Sequence, residues 1–556
     1  MATPVPPVGV GSQPHELVGP VRVLHSPEPA SGGGAPLTWL VDNADAYDRV
    51  VHALGSARRA IWITQLAFDA DCMAYERPGA DADASAPSCA GTLLAEAVRA
   101  AVTRAAVDVR ILLNATLLLD TARPLRQFFT ARIAALREAG SAVPGTIQVR
   151  GVKRFPQLLH AKMIIVDGTE AFLLGSPFAN GYWDDGLHPP VDPRRPLREL
   201  AGRPVHDLSV RLTGSPVAAI EDVFTAWWDS TIGVTSDAAR FPSADSTAGR
   251  IDQAARERST KTLVRVVSTS PRRVLAGCPS GSTEILEVAL EGIARARSWI
   301  YIEHQYLSAR PIVAALATAL ARNPALELIA VLNQNPDVTA YRRWQNARLV
   351  ESGLLTHPRA GLFALWTVAR GTAPSCPAML NQVFVHSKAV VVDDEWGMAG
   401  SANLDGVSLH SYGDDFTGAL GRGIFRHVRN FDLNVVVDDR LDGHAASGIL
   451  LNLRSRLWCE HLGIARSLLT IRPDEGWLPL WRARAAANAA ALDCAPAAAA
   501  PPRMCGFVLP YSTAPTPARQ LAAAGVRVNP ARLEVCFNPG WLEVNFSPNW
   551  IRNMFS

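Results

Sequence analysis

The sequence predicts an α/β protein of two similar α/β/α halves with mainly parallel mixed sheets. Three observations carry this: a long internal duplication, an alternation of strand-like and helix-like segments within each copy, and an apolar content sufficient for several layers. The chain has 556 residues, 48% hydrophobic and 19% charged. A prior of roughly 150 residues per domain gives two to four folding units. The composition is far from the polar, highly charged kind that keeps a chain disordered.

The two copies share four segments in the same order, and a repeat of this kind sets the architecture. Ala57–Ile63 (ARRAIWI) resembles Ala296–Ile302 (ARSWIYI), each the end of a helix running into a β-branched and aromatic strand. After an alanine- and leucine-rich helical stretch, Val107–Asn114 (VDVRILLN) matches Leu326–Asn333 (LELIAVLN). The third pair is Leu159–Ser176 (LHAKMIIVDGTEAFLLGS) and Val385–Ser401 (VHSKAVVVDDEWGMAGS), and the fourth is His206–Val210 (HDLSV) and Phe431–Val435 (FDLNV). Strand, helix, strand in each copy argues for βαβ units and a largely parallel sheet covered on both faces.

The repeat divides the chain into an N-terminal extension (1–37), a first half (38–240), a linker (241–279), a second half (280–480) and a C-terminal segment (481–556). A Ser/Thr/Ala/Arg-rich run from Ser230 to Lys261 leads into the linker. The last segment ends in Trp541, Phe546, Trp550 and Phe555. These aromatics are read as packing on the main body as a cap, in preference to an interfacial foot on lipid.

Lys+Arg number 54 and Asp+Glu 51, a formal charge of +3. With no lysine or arginine block resembling a nucleic-acid arm, no nucleic-acid partner is expected. Lysine itself occurs only at Lys153, Lys162, Lys261 and Lys388, and two of these lie in the third matched pair. The eight cysteines show no C-x-x-C spacing, which suggests neither a zinc site nor a redox pair. Met1–Pro20 has no basic segment followed by an apolar run, and no apolar stretch reaches the roughly 18 residues needed to cross a bilayer. A monomer is expected, cytoplasmic or peripheral to a membrane.

The third pair carries the chemistry. His160 and Lys162, like His386 and Lys388, lie two apart on a predicted strand, so period-2 alternation points each pair to one face. Asp167-Gly168 and Asp393-Asp394 are turn residues leading to a second strand, which ends at Gly175-Ser176 and Gly400-Ser401. This hairpin is expected to bring each serine back towards its own histidine. A lone histidine beside an apolar strand is usually a core residue. Repetition of the same histidine, lysine, serine and aspartate argues otherwise, because buried polar groups cost stability unless partnered. His206, His304 and His410 lack such a counterpart and are read as structural or peripheral.

Two imidazoles and two lysines suit a phosphodiester. A covalent adduct splits a difficult displacement into two easier steps, and imidazole is available as nucleophile, acid or base near pH 7. Metal catalysis would call for clustered carboxylates and histidines, and a charged lysine has no lone pair to offer. No metal or other cofactor is expected.

The two segments read H-x-K-x4-D followed by G-S, and on them the chain resembles the phospholipase D superfamily over roughly residues 40–480. The resemblance implies two halves related by a pseudo-twofold axis, with both motifs in one site. It implies that His160 attacks phosphorus to form a phosphohistidine, and that His386 is the general acid and then the base activating water or a primary alcohol. The near symmetry of the motifs leaves these two roles exchangeable. Lys162 and Lys388 would hold the phosphoryl oxygens, with Ser176, Ser401 and Asn403 donating hydrogen bonds where charge develops. Asp207 and Asp432 resemble the family's acids that orient the histidines, with either assignment open. The first copy departs from G-S-x-N: Phe178 stands at the asparagine position and Asn180, two residues later, is the candidate. Asp167 and Asp393 are read as structural.

The resemblance further implies a phospholipid substrate at a membrane surface. Tyr306-Leu307 after Ile300–Glu303, and Arg456–Gly463 (RLWCEHLG), look like the lipid-acting members. The alternatives are a nuclease of the same superfamily and a non-catalytic binding protein on the same scaffold. The intact histidines and lysines argue against the last.

Overall fold

A computed structural model describes residues 37–76, 89–116, 119–195, 202–231, 262–275, 278–369, 378–416, 419–439, 448–493, 503–527 and 533–536. The first half contributes β1 (Leu37–Val41), β2 (Ala60–Thr64), β3 (Asp108–Asn114), β4 (Thr146–Val152), β5 (Met163–Val166), β6 (Glu170–Leu173) and β7 (Leu208–Thr213). The second contributes β8 (Leu263–Ser270), β9 (Trp299–His304), β10 (Glu327–Leu332), β11 (Ala360–Ala369), β12 (Lys388–Val392), β13 (Trp396–Gly400) and β14 (Asp432–Asp438). Their orders coincide: β1-β7-β6-β5-β2-β3-β4 in one sheet and β8-β14-β13-β12-β9-β10-β11 in the other.

Both sheets are mixed, and the parallel part is narrower than the strand–helix alternation implied. It comprises β2-β3-β4 and β9-β10-β11, where helices cross between consecutive strands. The other pairings among these fourteen strands are antiparallel. The reason is the hairpin in each motif: three residues reverse the chain between β5 and β6 and between β12 and β13, whereas a parallel return needs a long crossover.

Alternation along the strands builds three apolar layers. In β2, Ile61 and Ile63 face outwards onto α1 (Asp42–Ser56), α2 (Leu94–Arg104) and α3 (Ala122–Glu138), meeting Tyr47, Val98 and Leu125. Trp62 faces inwards and stacks on Phe224 of α4 (Ser215–Asp229), with ring centroids 4.9 Å apart. In β9, Ile300 and Ile302 face α5 (Glu284–Ala294), α6 (Arg310–Arg322) and α7 (Thr339–Glu351). Tyr301 faces inwards to Trp458 of α8 (Ile449–Leu462) and Trp481 of α9 (Leu478–Leu492). One apolar cluster containing Trp62, Met163, Tyr301, Ala389 and Trp458 joins the inner faces of both sheets. With both faces covered, the strands read as nearly continuous apolar runs.

Two expected boundaries move. β8 falls inside the expected linker, yet pairs with β14 from Leu263↔Asp438 to Thr269↔Asp432 as the counterpart of β1. Leu263 and Arg265 are exposed and Val264 and Val266 partly buried, so the strand starts with little core contact and directly follows a polar run in the sequence. In the C-terminal segment, Val508–Pro510 pairs with β11, and Leu533–Cys536 pairs with Ala378–Gln382, itself joined to β11. The described part of that segment therefore extends the second sheet. Trp541, Phe546, Trp550 and Phe555 lie outside the described residues.

Candidate active site

The site is formed where the halves cross. Leu159 bridges in parallel to Phe431, and Phe384-Val385 pairs in parallel with Val205-His206. The Phe431 carbonyl accepts from the His160 and Ala161 amides at 3.0 and 2.7 Å, and the His206 carbonyl accepts from His386 and Ser387 at 2.8 and 3.2 Å. Each motif is thus pinned to the residue that precedes the other half's aspartate. His160 and Lys162 consequently lie just before β5, and His386 just before β12, whose first residue is Lys388.

The aspartates are exchanged between halves. His160 Nδ1 lies 2.7 Å from Asp432 Oδ1, and His386 Nδ1 lies 3.0 Å from Asp207 Oδ2. All four residues are buried. Lys162 Nζ is 3.2 Å from His160 Nε2. An ammonium only donates, so the network assigns a lone pair to Nε2 and the proton to Nδ1, facing Asp432. Lys388 Nζ donates to the His386 carbonyl.

The serines are not placed by their own histidines. Ser176 Oγ donates to Asp207 and lies 3.2 Å from Nδ1 of His386; Ser401 Oγ donates to Asp432 Oδ1 at 2.7 Å. Each serine supports the aspartate of its own half, which the crossing has brought to the other half's histidine. Gly175 is required by this approach: a Cβ there would stand 1.9 Å from Asp207 Oδ1. Asn403 is buried with its Oδ1 lacking a hydrogen-bond partner. Asn180 does not supply the missing first-half asparagine in this geometry, because its amide is engaged by Asp71 Oδ1 at 2.6 Å. Asn43, which sequence reasoning missed, donates to Ser176 Oγ at 3.0 Å and to the Tyr182 carbonyl at 2.6 Å. It sits at the start of α1, outside every repeated segment.

Asp167 and Asp393 are engaged by the backbone. Asp167 accepts from the amides of Arg58, Arg59 and Ala60 at 2.7–2.9 Å, and Asp393 from those of Arg297, Ser298 and Trp299 at 2.7–2.9 Å. Both have positive φ, a conformation aspartate tolerates better than most residues. They tie each motif hairpin to the start of its neighbouring strand.

Burial and the lysines lower both histidine pKa values, that of His386 to about 3, against the opposing pull of their aspartates. Each histidine also feels the lysine of the other half, which shows the two motifs sharing one field. Burial lowers Lys162 to about 8 and Lys388 to about 7, although nearby aspartates oppose it. Burial alone would raise Asp207, but His386, Lys388 and Ser176 bring it down to about 2; Asp432 is lowered similarly by His160, Lys162 and Ser401. The resting site therefore holds two neutral imidazoles, two ionised aspartates and two easily titrated ammonium groups.

Next to this site lies a buried group the sequence did not flag. Asp42, His188, His206 and Glu460 present ligand-type atoms all within 4.8 Å of one another, and His206, Glu303 and His461 form an adjoining set. His206, read from sequence as structural or peripheral, belongs to both.

A duplicated α/β/α fold in which paired His/Lys segments exchange aspartates across one buried site has the architecture of a two-motif phosphodiesterase. The family model described as cardiolipin synthase, PLD-like domain, matches residues 290–440, which include His386, Lys388, Asn403 and Asp432. The second half of the chain thus carries a phospholipase D-like domain. The chain is similar to phospholipase D zeta 1 of Arabidopsis thaliana, with 34% identity over 118 residues, 20% of this chain and 10% of that protein. It is also similar to a phospholipase D of Phytophthora infestans, with 23% identity over 274 residues, 40% of this chain and 14% of that protein. The matches thus span only a small part of these relatives' length. Among solved structures, phosphatidylserine synthase of Haemophilus influenzae Rd KW20 aligns at a TM-score of 0.46 and 12% identity, over 76% of this chain and 85% of that one. Among the described residues, no helix is long and apolar enough to cross a membrane.

Proposed function

We propose that this chain hydrolyses a phospholipid head group, or exchanges it for an alcohol, through a phosphohistidine on His160. The observation that carries this reading is the state of His160: Nδ1 is held by Asp432, and Nε2 presents its lone pair beside Lys162. A neutral, oriented imidazole next to a cation is a nucleophile placed where an anionic phosphoryl group would bind. In this reading Lys162 and Lys388 neutralise the phosphoryl oxygens as compact point charges.

The incoming phosphodiester brings negative charge to His386 and raises its pKa, so the imidazole takes up a proton. His160 Nε2 attacks phosphorus, the P–O bond to the head group breaks, and His386 gives its proton to the departing alkoxide. Asp207 and Asp432 hold both rings and stabilise their cationic forms. Neutral again, His386 removes a proton from water or an alcohol, whose oxygen attacks phosphorus and breaks the P–N bond. Phosphatidic acid or a phosphatidyl alcohol leaves, His386 releases the acceptor's proton to solvent, and both rings return to their starting state. No step passes through a metal, and the acceptor is water or a primary alcohol.

A lipid substrate is supported by the relatives named phospholipase D, and by the absence of a basic arm that would follow a nucleic-acid backbone. The test is a panel of phosphatidylcholine, phosphatidylethanolamine, phosphatidylglycerol and single-stranded DNA under identical conditions. Release of a lipid head group with inert DNA is expected. Rapid DNA cleavage with inert lipids would contradict the proposal.

A further inference from the structure

We propose that Asp42, His188, His206 and Glu460 bind one divalent transition-metal ion of the zinc type, in a closed structural site next to the Asp207–His386 pair. The proposal stands apart from the lipid reading, since it concerns residues that the phosphodiester chemistry does not use.

The first support is distance. His206 Nδ1 lies 3.0 Å from Asp42 Oδ1 and 2.9 Å from Glu460 Oε1, while His188 Nε2 lies 3.1 Å from Glu460 Oε1 and 3.8 Å from Asp42 Oδ1. Four nitrogen and oxygen ligands placed tetrahedrally at ~2.0–2.1 Å from an ion are separated by about 3.3 Å. The four distances bracket that value, and all four residues are buried.

The second support is His206 itself. It is fully buried, and Nδ1 makes no aligned hydrogen bond despite two carboxylate oxygens within 3.0 Å. A proton on Nδ1 would lack a good acceptor, whereas a lone pair there would join those oxygens around a cation.

The third support is the surrounding shell. A metal-bound histidine commonly turns its other ring nitrogen to a carboxylate. His188 Nδ1 is 3.1 Å from Asp184 Oδ2, and His206 Nε2 is 2.9 Å from Glu303 Oε1, a close contact without hydrogen-bond alignment. Asp184 is held by Arg195 and by the Val205 amide, both at 2.7 Å; Glu303 accepts from Tyr301 at 2.6 Å and from Ser387. Two ligand carboxylates and two neutral imidazoles would balance a divalent charge.

The consequence is positional. Asp42 N donates to the Asp207 carbonyl at 2.8 Å, and the His206 carbonyl accepts from the His386 amide. Three ligands come from the first half and Glu460 from α8 in the second. An ion here would clamp the crossing that brings Asp207 to His386.

The test uses the untagged full chain, produced with added zinc and dialysed against metal-free buffer, with metal content measured by inductively coupled plasma mass spectrometry. About one equivalent per chain is expected, falling at least tenfold in Glu460→Gln and His188→Ala. A folded chain retaining less than a tenth of an equivalent would overturn the proposal, as would full retention in both variants. If the variants fail to fold, X-ray absorption on the unsubstituted zinc-loaded chain decides. A four-coordinate nitrogen/oxygen shell with two imidazoles supports the site, and sulfur ligation or a hydrated ion overturns it.

Discussion

His160 Nδ1 and Asp432 Oδ1 lie 2.7 Å apart although 272 residues separate them in the chain. Their counterparts, His386 and Asp207, repeat the relationship with the halves exchanged. Neither motif histidine takes its aspartate from its own half, so the crossing of the two halves builds the candidate site.

Crossed pairing makes a specific prediction. Asp432→Asn should shift the ring ¹⁵N resonances of His160 and leave those of His386 nearly unchanged, and Asp207→Asn should do the reverse. Each variant should lower kcat on the order of 10^3-fold or more, the scale seen when an oriented histidine loses its carboxylate. Adding His160→Ala to Asp432→Asn should cost little beyond His160→Ala alone, because the two act as one unit. A histidine that responds to its own half's aspartate would refute the crossing.

Gly175→Ala should damage the site through Asp207. The added methyl would overlap that carboxylate, and relieving such overpacking typically costs roughly 1–3 kcal/mol. Gly140→Ala is the comparison: there a methyl meets nothing within 4 Å, although the positive φ makes it a strained position too. Kinetics and thermal unfolding should show a fall in kcat for Gly175→Ala and only a stability loss for Gly140→Ala. Equal kcat in both would mean that Asp207 tolerates displacement.

The pH dependence follows from the lysines. Lys388 and Lys162, lowered to about 7 and about 8, are charged below those values and lose their protons as pH rises through them. Loss of either cation weakens phosphoryl binding, so kcat/KM, which reports the free enzyme, should fall from about pH 7 upwards. Uptake of a proton by His386 becomes harder in the same direction. Lys388→Arg should move the alkaline limb upwards if the guanidinium is accommodated. A kcat/KM that climbs steadily from pH 7 to 9 would be incompatible with this assignment.

Much of the site was legible because it occurs twice. His160 and His386, Lys162 and Lys388, Ser176 and Ser401, and Asp207 and Asp432 were found by aligning one half of the chain with the other. The crossing was not legible, since it rests on short pairings such as Leu159 with Phe431, which no periodicity announces. For that reason the serines were assigned to the wrong histidines. Asn43 was missed because no repeat contains it, and β8 because its first four residues, exposed or only partly buried, directly follow a polar run. His206 was undervalued for a related reason: its match in the second half is Phe431, so the repeat that identified Asp207 concealed its neighbour.

Partitioning of the adduct gives a kinetic test. If formation of the phosphohistidine is slow, rising ethanol or glycerol should leave total head-group release nearly constant while phosphatidic acid falls and phosphatidyl alcohol grows in proportion. Product ratios from a single phospholipid substrate measure this. Head-group release that increases in step with alcohol would place the acceptor in the first step.

The covalent intermediate itself is tested by stereochemistry at phosphorus. Two successive in-line displacements, first by His160 Nε2 and then by the acceptor oxygen, restore the original configuration. A phosphorothioate diester of known chirality, converted by transfer to an alcohol, should give a product with retained configuration. Inversion would mean one direct displacement by the acceptor and would remove the phosphohistidine from the mechanism.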